Sequence, residues 1–169
     1  MPVVGGGGRV YIGIDPGANG AVGVYEGADA RCYSLSGLSD RDLSNLIAGI
    51  AVGPKSLAFA VIERVGGYIG INGIPSNAMF NFGMGYGKLL MALTCVGIPF
   101  EEITPQTWQK GLGIPKRDKA KGETQQQFKR RLKAKAESLF PEVNVTLTNA
   151  DALLIALYCK RKQEGTLER

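Results

Sequence analysis

Hydrophobic and polar residues along the chain alternate at two periods. Near the N-terminus, Val10-Tyr11-Ile12-Gly13-Ile14, Ala21-Val22-Gly23-Val24-Tyr25 and a shorter run through Arg31-Cys32-Tyr33 are separated by Gly-rich turns. That pattern predicts strands at 9–15, 20–26 and 30–35, joined as an antiparallel meander. Further on, apolar runs at 56–63 and 98–104 alternate with helical spacing at 40–51, 76–96, 105–111, 124–139 and 149–163. Alternating strand and helix implies parallel crossovers, with helices covering a mixed five-stranded sheet. The run around Phe59 is apolar at every position, as expected of a strand buried on both faces. One α/β domain over 9–163 follows, with a flexible N-terminal tail at 1–8 and a C-terminal tail at 164–169. No repeat or linker divides it. The stretch 112–123, with Gly113-Ile114-Pro115 and Gly122, is the candidate mobile loop.

Composition narrows the chemistry. The 169 residues are 44% hydrophobic, enough for one sizeable core. No apolar run approaches the roughly 20 residues that span a bilayer, so a soluble protein without membrane partners is expected. Met1-Pro2-Val3-Val4 followed by four glycines lacks the charged start and apolar stretch of a signal peptide. Cys32, Cys95 and Cys159 are odd in number and widely spaced. They are expected to be reduced core residues of a cytoplasmic protein. The chain has no histidine, which excludes Ser-His-Asp and Cys-His triads and imidazole zinc sites. Catalysis would then fall to carboxylates, lysines, hydroxyls or a metal held by oxygen.

Three acids adjoin apolar runs. Asp15 ends the first strand and is followed by Pro16-Gly17; Glu63 ends Leu57-Ala58-Phe59-Ala60-Val61-Ile62; Asp151 opens Ala152-Leu153-Leu154-Ile155. One Asp after a strand ordinarily makes an Asx-turn, and Asp151 beside Asn149 also suits a helix N-terminus and its dipole. Three such acids in an otherwise basic protein favour a shared metal site. Carboxylate oxygens select hard cations, Mg2+ or Mn2+.

Nine of the 20 basic residues, but two of the 15 acids, lie between Lys116 and Lys135. The rest of the chain carries 11 basic and 13 acidic residues, so this segment alone makes the protein basic. Phe128, Leu132 and Ala136, with Leu139 beyond, form a helical stripe that would hold the charges to one face. A solvated helix face is the bland alternative; phosphate binding is the reading preferred. Gly83, Gly85 and Gly87, beside Tyr86 and Lys88, cost about 1 kcal/mol each within a helix. They imply a close approach, either by the chain's own sheet or by a partner helix or DNA backbone. Walker spacing is absent and Leu89 replaces the needed Ser or Thr, so no nucleotide is expected there.

Ile12-Gly13-Ile14-Asp15-Pro16-Gly17, Val61-Ile62-Glu63-Arg64-Val65 and Ala150-Asp151-Ala152-Leu153-Leu154-Ile155-Ala156-Leu157-Tyr158 resemble, in order and wording, the blocks of RuvC-like Holliday-junction resolvases, a branch of the ribonuclease H-like nucleases. Gly85-Tyr86-Gly87 and Pro105-Gln106-Thr107-Trp108-Gln109-Lys110 look most like the phage and plant-organelle members. The resemblance spans Val10 to Arg161. It implies a ribonuclease H-like fold and an endonuclease resolving four-way DNA junctions by paired symmetric nicks. Asp15, Glu63 and Asp151 would be its catalytic metal ligands, holding two Mg2+ about 4 Å apart, with Mn2+ able to substitute. Lys88, Lys110, Lys116, Arg117, Lys119, Lys121, Lys129, Arg130, Arg131 and Lys133 would meet DNA. Lys110 is expected near the scissile region and Trp108 as a core anchor. Two nicks call for a two-fold homodimer, with helix 76–96 the candidate interface.

Such a protein belongs in a bacterial or phage-infected cytoplasm, or in an organellar matrix once a transit peptide is removed. The sequence departs from the family at one point. Resolvases usually carry a fourth acid or a His a few residues before the equivalent of Asp151, but here Val145-Thr146-Leu147-Thr148-Asn149 precedes it, and Glu142 is the nearest acid. A weakly held second metal is the expected consequence. The competing readings are an inactive branched-DNA-binding protein of the same fold and an actin-like phosphotransferase fragment. The second needs two lobes, and 169 residues are too few for them.

Overall fold

The computed structural model describes residues 8–50, 57–64 and 76–168. Its five-stranded sheet has the order β3-β2-β1-β4-β5. β1 (Val10–Asp15), β2 (Ala21–Glu26) and β3 (Asp29–Ser34) form the expected antiparallel meander. β4 (Ala58–Glu63) and β5 (Phe100–Ile103) join β1 in parallel. The strand read as apolar on both faces is thus internal, with β1 and β5 on either side.

Side-chain alternation along the strands builds two cores. Val10, Ile12, Ile14, Val22, Val24, Ala60 and Ile62 pack beneath α1 (Asp40–Ile50) and α2 (Ser76–Val96). Tyr11 and Val61 point the other way, into a core with α3 (Pro105–Gly111), α4 (Gln125–Leu139) and α5 (Ala150–Glu164). The α4 stripe of Phe128, Leu132 and Ala136 is buried as expected, and Leu139 packs at its edge. Thr124 and Gln127 close a reciprocal capping box at its start (3.1 and 2.8 Å), fixing where the basic helix begins.

α5 is buried on every side from Ala150 to Cys159, the central element of the fold. It lies directly on β1 and β2 because the paired Gly13 and Gly23 present no side chain to it. A Cβ at Gly13 would stand 2.1 Å from the Ala156 nitrogen, and one at Gly23 2.5 Å from the Ala152 oxygen. No larger residue fits without moving the helix.

Two expectations need correction. At the C-terminus, α5 includes Glu164, Leu167 packs on the α5-side core, and the Glu168 N–H donates to the Gly111 carbonyl (3.1 Å). The 112–123 stretch is tied rather than loose, because Arg131 bonds the Pro115 carbonyl (3.1 Å) and Glu123 (3.0 Å), while Glu123 accepts from the Asp118 N–H (2.8 Å). Cys95 is exposed, so not every cysteine is in the core; all three thiols are free. Burial pushes Cys32 and Cys159 up to about 12, which leaves both unreactive. The 1–8 tail lies outside the described residues except for Gly8.

Candidate active site

Strand parity decides where the acids point. Asp15 shares its side of β1 with Tyr11 and Gly13, and Glu63 shares its side of β4 with Val61, so both face α5. Ile14 pairs with Ile62 across the parallel strands, and one residue further the two acids emerge side by side at the sheet end. Asp151 meets them from the first turn of α5, which the Gly13–Gly23 seat holds against the sheet. The three acids singled out in the sequence therefore lie at one end of the sheet, near enough for their charges to act on one another.

Each carboxylate has a different hold. Asp15 Oδ1 accepts the Gly17 N–H (3.2 Å), an Asx-turn that aims the side chain without removing it from the cluster. Burial raises its pKa despite that bond, and Asp151 adds repulsion. Glu63 Oε2 accepts the indole N–H of Trp108 (2.6 Å). Burial pushes Glu63 up to about 7 despite the Trp108 hydrogen bond that lowers it; Asp15 and Asp151 add repulsion, and Lys129 opposes them. Trp108 is fully buried, so it is the core anchor the sequence suggested and also the residue that orients Glu63.

Asp151 is 5% exposed, and its two oxygens differ. Oδ2 pairs with the Lys129 ammonium; Oδ1 is buried without a hydrogen-bond partner. Burial opposes the charge on Lys129, but attraction from Asp151, and then from Asp15 and Glu63, leaves its pKa raised. Asn149 stands at the N-cap of α5 but does not cap it; its side chain accepts from the Thr146 N–H (2.8 Å) and donates to the Asn144 carbonyl (3.1 Å). Thr148 bonds Thr146 (2.9 Å). The neutral oxygens nearest the missing fourth acid are thus already engaged in a turn. Glu142 is exposed.

Among the described residues, no three acidic or thiol side chains close on one point as a ready-made metal site. The donors nonetheless suit a hard divalent cation: all are oxygens, two have pKa values raised by burial and mutual repulsion, and one buried oxygen lacks a partner.

The basic segment divides into engaged and outward residues. Lys129, Arg131, Lys133 and Lys121 pair with Asp151, Glu123, Glu137 and Asp118. Lys116, Arg117, Lys119 and Arg130 make no ion pair among the described residues, nor does the exposed Lys110. Lys88 reaches Asp40 (2.6 Å) across the α1–α2 side, beside a cavity of about 480 Å3 lined in part by Pro16, Gly17, Phe82 and Gly85. Sequence reasoning missed the Lys129–Asp151 and Trp108–Glu63 contacts. Both join residues distant in the chain, and no local spacing signals them.

The strand order β3-β2-β1-β4-β5, with helices on both faces, defines a mixed α/β fold, and Asp15, Glu63 and Asp151 lie at one end of its sheet. Its likeness to solved structures makes that narrower. Over 95% of this chain and 98% of the other, it is similar to Thermus thermophilus RuvC in complex with a Holliday-junction substrate, at 18% identity and a TM-score of 0.62. A second T. thermophilus RuvC structure gives 18% identity and a TM-score of 0.58 over 94% and 98%. The chain has the fold of the RuvC Holliday-junction resolvases. It matches no protein-family model and no curated protein. Among the described residues, no helix is long and apolar enough to cross a membrane.

Proposed function

We propose that this protein is a metal-dependent endonuclease that resolves four-way DNA junctions. The observation carrying this reading is the meeting of Asp15, Glu63 and Asp151 on the α5 face of a RuvC-type sheet, with Asp151 Oδ1 buried and unpartnered. Asp15, Glu63 and Asp151 would hold Mg2+ or Mn2+, two ions per site when DNA contributes its phosphate. Bound there, such ions supply Lewis-acid stabilisation of a phosphodiester displacement. The protein's share is to hold its carboxylates rigidly: Trp108 orients Glu63, the Gly17 turn orients Asp15, and the α5 seat orients Asp151.

The outward cations Lys110, Lys116, Arg117, Lys119 and Arg130 are the phosphate contacts we favour. Lys129 and Arg131 have partners within the protein, so their loss would alter the site or the 112–123 loop as well as affinity.

Two symmetric nicks require two copies of this site. The exposed stripe of Phe80, Met84, Gly87 and Met91 on α2 has coiled-coil spacing and is our homodimer seam. No nucleotide or membrane partner enters this reading.

The test is Mg2+-dependent cleavage of a synthetic four-way junction, run beside linear duplex and ATP. We expect paired nicks in the junction, lost to background in Asp15→Asn, Glu63→Gln and Asp151→Asn while junction binding persists. Normal cutting by Asp151→Asn would overturn the site. Junction binding without cleavage at any Mg2+ or Mn2+ concentration would leave a branched-DNA-binding protein, the reading that the absent fourth acid favours. ATP hydrolysis would instead point to a phosphotransferase.

A further inference from the structure

Lys129 lies in the basic stretch, yet its side chain turns away from Arg130 and Arg131 and ends on Asp151. Asp15, Glu63 and Asp151 lie near enough there for their charges to act on one another, and the ammonium neutralises Asp151. The two partners differ in access: the Lys129 side chain is 38% exposed and that of Asp151 7%. The cation therefore reaches the cluster from the surface, along a path by which it can leave. Nothing in the backbone needs to move for that, because α4 is fixed by its capping box and by buried Phe128 and Leu132. Lysine suits the exchange, being a compact cation on a flexible four-carbon stem.

A divalent ion arriving at Asp151 finds Oδ2 already occupied by a positive charge, and the two cations repel at close range. A substrate phosphate changes the balance. It offers the ammonium another anion and brings negative charge to the metal. We propose that Lys129 is a resident cation of the acid cluster, holding divalent metal off Asp151 in the DNA-free protein and yielding when a substrate phosphate draws its ammonium away. This inference rests on the metal-site reading above. It adds, beside the missing fourth acid, a second reason to expect weak metal binding by the DNA-free protein.

The test is Mn2+ binding by the DNA-free full-length protein, read from the paramagnetic resonance of the free ion. Wild type, Lys129→Met and Lys129→Arg are compared, each with and without Asp151→Asn. Lys129→Met should bind Mn2+ about ten-fold or more tightly than wild type, as expected for removing a close like charge. Lys129→Arg, which keeps the charge, should bind as weakly as wild type. Because Lys129→Met leaves a buried carboxylate unpaired, it should melt below wild type in chelator and regain stability with Mn2+. If it does not fold, Lys129→Gln takes its place in the same titration. Mn2+ binding that depends on Asp151 but is equal in wild type and Lys129→Met overturns the role of Lys129 and leaves the metal site standing. Binding in neither protein, or binding insensitive to Asp151→Asn, overturns both.

Discussion

The two faces of the sheet use glycine in opposite ways. On the α5 face, Gly13 and Gly23 are filled against: an added Cβ would strike the α5 backbone at 2.1 and 2.5 Å. On the other face, the α2 glycines Gly83, Gly85 and Gly87 would meet nothing within 4 Å. Both sets carry the same backbone-entropy penalty. At Gly13 and Gly23, packing inside the chain offsets it, since only that approach brings Asp151 to Asp15 and Glu63. At Gly83 and Gly87 no contact within the described chain does so, and Phe80, Met84 and Met91 stand exposed around them. Among the described residues, the α2 glycines do not pack on the chain's own sheet. A close approach that the described residues do not make is one that a second copy or a DNA backbone could make.

The largest effect should come from breaking the filled face. Gly13→Ala must push α5 off the sheet, costing about 3 kcal/mol or more, at or beyond the upper end for overpacking a core. Cleavage should be lost with it. A melting temperature within a degree or two of wild type would mean that α5 is not seated as described.

The open face should respond in association rather than in folding. Phe80→Ser with Met91→Ser removes two large apolar side chains from the seam and should raise the dimer dissociation constant about 100-fold. The melting temperature of the monomer should barely change. Sedimentation showing a wild-type monomer at micromolar concentration, free and on junction DNA, would sink the seam altogether.

A pH scan probes the acid cluster alone. Glu63 is raised to about 7 from an ordinary value near 4.5, so the folded protein holds a proton there that the unfolded chain releases. Stability of the metal-free protein should therefore fall as pH rises from about 5 to 7.5. Asp15, also raised, works in the same direction. Asp42 and Glu123 are lowered and work oppositely, but they lose their contribution only at more acid pH. Glu63→Gln should flatten the decline, as should saturating Mn2+. An equal slope in wild type and Glu63→Gln would show that Glu63 is not the group involved.

The smallest change tests the open glycines directly. Gly83→Ala should stabilise the folded monomer by up to about 1 kcal/mol, the helix-propensity difference, because no neighbour objects. If that residue lies in the seam, the same substitution should weaken the dimer. Stabilisation with unchanged dimer affinity would move the close approach elsewhere on α2.

Much of this molecule was legible in the residues. Period-2 and helical runs place the elements, because burial on one face forces that spacing whatever the neighbours are. Asp15, Glu63 and Asp151 stand out because a charge beside an apolar run is costly to keep without purpose. What the pattern could not settle is which way each acid faces. β1 and β4 are apolar on both sides, so Ile12 and Ile14 look no different from Tyr11 as core positions, and only sheet order and the α5 seat assign Asp15 to the helix side. The partners of Lys129, Arg131 and Trp108 were equally hidden. A run of nine cations reads as one surface, yet Lys129 enters the acid cluster and Arg131 fastens Pro115 and Glu123. Local sequence determines how a segment folds because those energies act between near neighbours. Where a charged side chain ends depends on the nearest opposite charge in space, and that is decided only when distant parts of the chain have met.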